Sequence, residues 1–359
     1  MSGTSLDGVD LVIVDFANEK PRLVAASLLP FPDSLRAELL ELCQPGDDEI
    51  DRLGRADTAL GLFIGAGLRD LLAEKGIERG RIRALGSHGQ TVRHRPQRPH
   101  PFTLQIGDPN VIAELAGVPV VADFRRRDLA AGGQGAPLVP AFHAAVFGSS
   151  NDRVVVNIGG MANITLLPGG RPDAASGFDT GPGNVLLDAW AQRHLGTPID
   201  EDGAWAAQAT PDPALLARLL ADPYFAQPPP KSTGREYFNL AWLQAHLNHS
   251  LAPASIQATL TELTAATIAR GIAMAQQMRP KSVLVCGGGR RNGWLMNRLA
   301  AALPDVTVTT TDSHGLDGDW VEATAFAWLA RQRLMGLAGN LAAVTGAAGP
   351  RVLGAIYSA

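Results

Sequence analysis

The sequence has little cysteine and little excess charge. Only two cysteines occur, Cys43 and Cys286, far apart and without the spacing of metal ligands, so neither a disulfide framework nor a zinc site is expected. The formal net charge at pH 7 is −4, which provides no basic field for attracting nucleic acid or an anionic membrane. These features favour the reducing cytoplasm and exclude nucleic acid as an expected partner.

Long apolar segments are also absent. No run of about 18 apolar residues could span a membrane, and the N-terminus lacks the basic and apolar segments of a signal peptide, so no membrane partner is expected. Hydrophobic residues make up 46% and charged residues 18% of the chain, as in a compact folded protein. Its 359 residues are enough for two domains of ordinary size.

The order of predicted elements is similar in two halves of the chain. Each half begins with two strands joined by a turn, and helices and strands then alternate. The opening strands are VDLVIVDF and RLVAASLLPF in the first half, and RVVVNIGG and ANITLL in the second. Mixed strands with crossover helices predict an α/β fold. The irregular segment RRRDLAAGGQGAP predicts a lobe boundary, and the cleft between lobes is the expected ligand site.

Three glycine turns follow or join these strands: Gly3–Gly8, Asn157–Gly160 together with Asn163, and Gly287–Gly289. Glycine at a strand end lets backbone N–H groups approach phosphate oxygens. The P-loop and dinucleotide fingerprints are both absent. Each turn alone is explained equally well or better by tight turning or close packing. Three such turns in duplicated halves favour a nucleotide site.

The first turn also contains polar side chains. The hydroxyls of Thr4 and Ser5 can donate hydrogen bonds to phosphate, whereas the carboxylate of Asp7 would repel it unless a cation lay between them. Magnesium suits that position because it prefers oxygen ligands and retains several waters. The alternative is that these residues only satisfy a tight turn.

Many segments along nearly the whole chain resemble the anhydro-N-acetylmuramic acid kinase family. They are MSGTSLDGVD, GSHGQT, QIGDP, VADFRRRD, AGGQGAPLVPAFH, NIGGMANIT, GFDTGPGN, DGAWA, PKSTGRE, CGGGRRN and TGAAGPRVLGA. The resemblance implies two ribonuclease-H-like lobes, as in the actin, sugar-kinase and heat-shock-chaperone ATPase superfamily, with the active site in the interlobe cleft. The expected lobes are residues 1–125 and 126–359. Family members carry a short strand before the first loop, so Val9–Phe16 is expected to lack a neighbour on one side.

The resemblance also implies the reaction. ATP, with Mg²⁺, would phosphorylate O6 of 1,6-anhydro-N-acetylmuramic acid while water opens the internal ether at C1, giving N-acetylmuramate 6-phosphate and ADP. The enzyme would act in peptidoglycan recycling, with an amino sugar and ATP as small-molecule partners, and a homodimer is left open. Residues expected to bind ATP are Gly3, Thr4, Ser5, Leu6, Asp7, Gly8, Val9, Asp10, Asn157, Gly159, Gly160, Asn163, Gly287, Gly288 and Gly289.

Asp179 in GFDTGPGN matches the family's general base. A base for water must be ionised and must face a cavity, and the flanking glycines leave room for substrate. From the residues alone, a structural role is favoured, in which Asp179 caps the helix beginning near Asn184 or closes the adjoining turn. The resemblance favours catalysis.

Side chains with mixed donors and acceptors are the candidates for sugar binding: Ser87, His88, Gln90, Thr91, Asp108, Arg125 and Arg126. Arg125, Arg126 and Arg127 could bind the lactyl carboxylate, with at most one or two of them expected to point inward. A structural hydrogen-bonding role for His88, and an exposed basic turn paired with Asp123 and Asp128, are the alternatives. Asp7 and Glu322 are the metal candidates, although Glu322 at a helix start is also favourable for purely electrostatic reasons.

Two other functions remain as alternatives. A nucleotide-driven binding protein of the chaperone or actin type would hydrolyse ATP without the sugar. An ordinary hexose kinase would phosphorylate free N-acetylmuramate equally well. Strict dependence of ATP turnover on the anhydro-sugar separates the predicted function from both.

Overall fold

The computed structural model describes residues 1–3, 6–18, 20–97, 99–247 and 251–359. Thr4 and Ser5, two of the predicted ATP-binding residues, lie outside the described residues. No helix within the described ranges is long and apolar enough to cross a membrane.

Twelve strands occur in these ranges. They are β1 (Gly8–Asp15), β2 (Arg22–Pro30), β3 (Leu85–Gly86), β4 (Gln90–Arg95), β5 (Phe102–Ile106), β6 (Val120–Ala122), β7 (Arg153–Ile158), β8 (Met161–Leu167), β9 (Ser176–Pro182), β10 (Ser282–Cys286), β11 (Thr307–Thr310) and β12 (Ala355–Tyr357).

The α-helices described there are α1 (Asp33–Leu42), α2 (Glu49–Glu74), α3 (Pro109–Ala116), α4 (Arg126–Ala130), α5 (Val139–Phe147), α6 (Val185–Leu195), α7 (Pro213–Leu220), α8 (Pro223–Ala226), α9 (Leu240–His246), α10 (Pro253–Met274), α11 (Gly293–Ala302), α12 (Val321–Leu334) and α13 (Ala342–Thr345). Several of them begin with side-chain capping. Asp108 and Asp212 accept backbone N–H groups of the first turns of α3 and α7, and each of these helices has proline in its first turn.

The chain forms two compact units, one of which is discontinuous in sequence. The first comprises residues 1–142 and 320–359, and the second comprises residues 143–319. These bounds differ from the lobes expected from the sequence, 1–125 and 126–359. Residues 126–142 pack with the first unit, and so does the C-terminal segment, because β12 pairs with β6 and α12 packs on β1 and β3.

The second unit contains a five-stranded sheet of order β11-β10-β7-β8-β9. β7, β10 and β11 are parallel, whereas β8 is antiparallel to β7 and to β9. This order and these directions are those of a ribonuclease-H-like sheet, as the family resemblance implied. One face packs on α10 and α11 through a buried cluster that includes Val156, Ile164, Ile268 and Leu299. The mixed α/β class is therefore confirmed.

The first unit has a divided sheet. β1 pairs with β2, β3 and β12 both pair with β6, and β4 forms a separate hairpin with β5. Helices α1, α2 and α3 supply most of the core beside β1, including Leu39, Leu60 and Ile112. Within the described ranges, β1 has no partner strand other than β2.

A slot of about 630 Å³ is lined by β1, by β3 and by Ala323, Ala327 and Ala330 of α12. At one end of it, Met1 and Asp10 exchange two backbone hydrogen bonds. The Met1 ammonium donates to the Asp10 carbonyl at 2.7 Å, and the Asp10 N–H donates to the Met1 carbonyl at 2.8 Å. This reciprocal pair is the pattern of an antiparallel ladder, so the backbone at Met1 is aligned to continue along β1.

Candidate active site

Three of the predicted polar residues lie side by side on the sheet of the second unit. Asn157 on β7 is opposite Asn163 on β8, and Asn163 is opposite Asp179 on β9. Directly paired residues present their side chains on the same face of a sheet. Their neighbours Val156, Ile158 and Phe178 are buried on the other face, in the core beside α10 and α11. The alternation of apolar and polar residues thus places three polar groups in one row.

Asp179 is held by α8 and by the segment that follows it. Its carboxylate accepts the Thr233 N–H at 3.0 Å, its backbone N–H donates to the Lys231 carbonyl at 3.1 Å, and its carbonyl accepts the Tyr224 hydroxyl at 2.7 Å. Burial raises the pKa of Asp179 to about 6, and the Thr233 N–H opposes that shift. Because Asp179 lies within β9 and its carboxylate accepts the Thr233 N–H, and α6 has no side-chain cap, the capping alternative is wrong.

The turn Gly159–Gly160 joins β7 to β8 and packs on the start of α6. The Gly159 carbonyl accepts the Asn184 N–H at 2.8 Å, and the Gly160 carbonyl accepts N–H groups from Gly183 and Val185. The first N–H groups of this helix are therefore occupied by the turn. The Gly159 N–H is also used, because it donates to the Met161 carbonyl at 3.2 Å, so a ligand contact here must come from the Gly160 N–H or from side chains.

The turn Gly287–Gly289 follows β10 and adjoins β7. Gly287 has φ +79°, and a Cβ there would overlap the Asn157 side chain, so glycine is required. A Cβ on Gly289 would overlap Ile158, whereas one on Gly288 would meet only the Asn184 amide nitrogen, at 3.8 Å. Two glycines thus serve the turn and its packing, and Gly288 is free for a ligand.

Arg290 anchors this turn to residues 311–319. Its nearly buried guanidinium pairs with Asp312 at 3.1 Å and Asp317 at 2.7 Å, and also with Asp319. The Gly287 N–H donates to the Gly318 carbonyl at 3.0 Å. These bonds fix the backbone of the turn without any ligand.

Two further charged groups in the second unit, Arg235 and Asp188, were not predicted from the sequence. Arg235 lies against the second turn, where a Cβ on Gly160 would be 3.6 Å from two of its guanidinium nitrogens. Burial raises the pKa of Asp188 to about 6, and Arg235 opposes that shift. The string PKSTGRE was a signal for this segment, but nothing in its spacing shows that Thr233 contacts Asp179.

In the first unit, the opening turn contains both buried and exposed side chains. Leu6 and Val9 point into the core, so only their backbone could face a ligand, whereas Asp7 is exposed. Gly8 lies so close to the Leu29 carbonyl that a Cβ would overlap it. The Leu6 carbonyl accepts the Arg36 Nε–H at 2.8 Å, which ties the turn to α1.

A buried polar cluster lies after β3. Arg125 donates to Nε2 of His88 at 2.9 and 3.1 Å and to the Gly135 carbonyl at 2.9 Å. Since Nε2 accepts, Nδ1 carries the proton and donates to the Gly89 carbonyl at 2.9 Å. Burial and the charge of Arg125 hold the pKa of His88 well below its usual value. His88 is therefore a neutral group that orients Arg125.

The other predicted sugar-binding residues have varied surroundings. Buried Gln90 accepts the Ser2 hydroxyl at 2.6 Å, Ser87 is also buried, and Thr91 accepts from Gln105. The carboxylate of Asp108 caps α3, accepting the Asn110 N–H at 2.8 Å. Of the two predicted arginines, Arg125 is turned inward, whereas Arg126 is exposed and lies 3.5 Å from Asp123.

Glu322 lies in the first turn of α12 near this cluster. Burial raises its pKa, as does the negative charge of Asp10, while Arg125 and the Met1 ammonium oppose the shift. Asp10, and not Asp7, is thus the carboxylate that interacts with Glu322. Within the described part of the chain, no group of three or more His, Cys, Asp or Glu side chains is placed to hold a metal ion.

Comparison with known proteins identifies the family. Residues 1–359 match the family model described as anhydro-N-acetylmuramic acid kinase. Proteins of that name from Cupriavidus pinatubonensis and Xanthomonas campestris are each 56% identical to this chain, over 99% and 100% of it and 96% of their own lengths. The one from Pseudomonas putida is 53% identical over 100% of this chain and 98% of its own length. A solved PilM–PilN type IV pilus biogenesis complex has a TM-score of 0.45 at 15% identity, covering 94% of each chain.

The α/β architecture and the family match show that the chain is a kinase, a transferase that uses ATP. It belongs to the anhydro-N-acetylmuramic acid kinase family. The resemblance noted in the sequence is thereby confirmed.

Proposed function

We propose that the protein converts 1,6-anhydro-N-acetylmuramic acid, ATP and water into N-acetylmuramate 6-phosphate and ADP, as a step in peptidoglycan recycling. The observation that carries the proposal is the state of Asp179, a largely buried carboxylate with a pKa of about 6, in register with Asn157 and Asn163 beside a glycine turn. Membership of the family supplies the substrate.

The reaction has to provide its own phosphoryl acceptor, because O6 is bound to C1 in the anhydro-sugar. Water attacks C1, the C1–O6 bond breaks, and O6 forms a bond to the γ-phosphorus of ATP as ADP leaves. The proton of the attacking water is taken by a base. One base therefore serves both ring opening and phosphoryl transfer.

Asp179 is suited to be that base. A pKa near 6 keeps it ionised at neutral pH while making it more basic than an exposed aspartate. The Thr233 N–H fixes one carboxylate oxygen, so the other is available to water. The bonds to Lys231 and Tyr224 hold the backbone on which Asp179 stands.

We assign the ATP phosphates to the predicted turns. In the second unit these are the Gly159–Gly160 and Gly287–Gly289 turns, in which a Cβ on Gly160 or Gly288 would meet no atom closer than 3.6 Å. Arg235, next to Gly160, is assigned to the phosphoryl group, where its charge would stabilise the transition state. In the first unit the opening turn is assigned the same role, including Thr4 and Ser5, which lie outside the described residues.

We assign the sugar to the polar cluster of the first unit, with Ser87, His88, Gln90, Thr91, Asp108, Arg125 and Arg126 as the residue set. Arg125 is the group assigned to the lactyl carboxylate. Burial lowers its pKa only to about 10, so the guanidinium remains charged at neutral pH, and His88 and Gly135 orient it. Asp108 and Arg126 are weaker members, since one caps a helix and the other is exposed.

The donor set near Glu322 fits Mg²⁺. Glu322 interacts electrostatically with Asp10, and a cation there would relieve the repulsion between the two carboxylates. Mg²⁺ commonly uses one or two carboxylates and completes its shell with phosphates and water, so the absence of a larger cluster among the described residues agrees with this role. Bound there, Mg²⁺ would supply charge neutralisation for the phosphates. Asp7, exposed in the opening turn, is proposed to act through water.

A cytoplasmic location completes the proposal, supported by the two isolated cysteines and by the cytosolic origin of ATP. A homodimer has no supporting observation in the described residues and is not part of it.

Isotope labelling tests the reaction. In water enriched in heavy oxygen, with rapid reduction of the product to block exchange at the anomeric carbon, mass spectrometry should find the label at C1 and none in the phosphate group. Asp179→Asn should abolish ring opening and sugar-dependent ADP formation together, because a carboxamide cannot accept the proton. Asp152→Asn, which changes a carboxylate elsewhere in the second unit, should retain activity.

Other outcomes would identify the alternatives. Label in the phosphate group would indicate direct hydrolysis of ATP, and turnover without sugar would indicate a nucleotide-driven binding protein. Equal phosphorylation of free N-acetylmuramate would indicate an ordinary hexose kinase. An Asp179→Asn variant with normal activity would remove Asp179 from catalysis.

A further inference from the structure

A pocket of about 510 Å³ lies in the first unit and is lined by no residue assigned to sugar or ATP, although its Asp123 lies 3.5 Å from Arg126. It is lined by three segments. They are the start of α4 with Asp123 shortly before it, the last turn of α12, and the chain that leads into β12. Its charged lining residues are Asp123, Arg127, Arg333 and Arg351. The volume is that of a small-metabolite site.

The pocket has an excess of positive charge. Arg127, Arg333 and Arg351 form no ion pair with any described residue, and the single carboxylate, Asp123, lies 3.5 Å from Arg126 outside the pocket. Burial raises the pKa of Asp123, and the charge of Arg126 opposes that shift. Three guanidinium groups against one carboxylate leave a net charge of about +2, which attracts a dianion.

One of these arginines also has an unsatisfied donor. The Nε–H of Arg333 is buried and has no hydrogen-bond acceptor among the described residues. Leaving a buried donor unpaired is unfavourable, and a guanidinium binds an oxyanion through two parallel N–H groups, of which Nε–H is commonly one. Because Nε is buried, an oxyanion in the pocket supplies that acceptor only if the Arg333 side chain shifts toward the pocket.

The pocket walls are fixed independently of any ligand. The Arg351 N–H donates to the Asn340 side chain at 2.7 Å, and the Asn340 amide donates to buried Asp128 at 2.6 Å. β12 pairs with β6 immediately beside the pocket, with Ala355 opposite Ala122. The backbones that carry Arg127 and Arg351 are thus held by the same network.

We infer that this pocket binds the phosphate group of a small anionic ligand, either inorganic phosphate or a phosphorylated metabolite. A phosphate monoester is close to dianionic at pH 7 and offers three acceptor oxygens, which matches both the net charge of the pocket and the number of arginines. The inference does not depend on the reaction proposed above.

Calorimetric titration of the full chain tests it, with inorganic phosphate and glucose 6-phosphate as the probes. A saturating non-hydrolysable ATP analogue is present throughout to occupy the glycine turns. Arg333→Gln and Arg351→Gln should each weaken binding by about tenfold or more, since each loses a charge-assisted hydrogen bond. Arg331→Gln is the matched control, because Arg331 is on the same helix but lies over the Phe16 ring and does not line the pocket.

The outcomes separate clearly. Tighter binding of glucose 6-phosphate supports a phosphorylated metabolite, and equal binding of both probes supports free phosphate. If Arg333→Gln fails to fold, as judged by circular dichroism, Arg351→Gln decides. No binding of either probe by the wild type, or pocket variants that bind as the Arg331→Gln control does, would overturn the inference.

Discussion

At the scale of single residues, the property that suits Asp179 to catalysis also destabilises the protein. Burial raises its pKa in the folded state from 3.8 to about 6, so ionisation of the folded protein is less favourable than ionisation of the unfolded chain. The favourable contribution of the protonated group is present below about pH 4 and is lost as the pH rises through 6.

We therefore expect Asp179→Asn to be inactive and more stable than the wild type at pH 7. The gain has an upper limit of about 3 kcal/mol, corresponding to two pKa units, and it should disappear near pH 4. Urea unfolding from pH 4 to 8 measures it. Asp152→Asn is the control, with an expected stability change of opposite sign. Backbone N–H groups of Gly169 and Arg279 lower the pKa of Asp152, so replacing this carboxylate should destabilise the protein at neutral pH. A stability difference for Asp179→Asn that does not vary with pH would contradict this account.

At the scale of elements, the slot beside β1 contains a buried charge, the ammonium of Met1. Burial lowers the pKa of the Met1 ammonium to about 6, which shows that its charge is unfavourable there. The Met1–Asp10 pair places any preceding residues opposite Leu11, Val12 and onward, and six such residues would reach Phe16. Ala323, Ala327 and Ala330 leave room for their side chains.

We expect a six-residue β-forming extension of alternating valine and threonine before Met1 to stabilise the protein. It would replace the buried ammonium by an amide, pair with the free edge of β1 and bury apolar side chains, raising Tm by about 4 °C or more. Thermal unfolding followed by circular dichroism measures this. A glycine–serine extension of the same length removes the charge but forms no strand, so an equal gain with both extensions would rule out strand addition.

At the scale of the whole molecule, the two units differ in their dependence on distant sequence. The second unit has continuous sequence and its own buried clusters, around Ile164 and around Phe238. The first unit needs residues 320–359, because Phe326 of α12 packs on His88 and Phe124, and β12 completes the sheet beside β6.

We therefore expect residues 139–319, which keep α5 intact, to fold as a separate fragment with a cooperative thermal transition. Residues 1–142 expressed alone should lack such a transition, and co-expression with residues 320–359 should restore it. Circular dichroism and amide exchange distinguish these cases. A cooperative transition for residues 1–142 alone would show that α12 and β12 are dispensable.

Much of this protein was predictable from local patterns. The bounds of α3 follow from local capping chemistry, with proline at its start and glycine after its end. The paired strands at the start of each half and the glycine turn after β10 were also predicted, because alternation and glycine positions are determined by neighbouring residues. The α/β class and the family followed from these patterns and from the strings that resemble the family.

Contacts between residues distant in sequence were decided only by the tertiary structure. The bond between Thr233 and Asp179 joins residues 54 positions apart, and the inward turn of Arg125 depends on its bonds to His88 and Gly135. The packing of residues 320–359 with the N-terminal unit is of the same kind. The sequence by itself determined which residues could form strands, turns and hydrogen bonds, because those preferences act over a few neighbouring residues. Burial depends on what the rest of the chain places around a group. Only the folded chain therefore decided that Asp179 has a pKa near 6 and that three arginines with no ion pair among the described residues share one pocket.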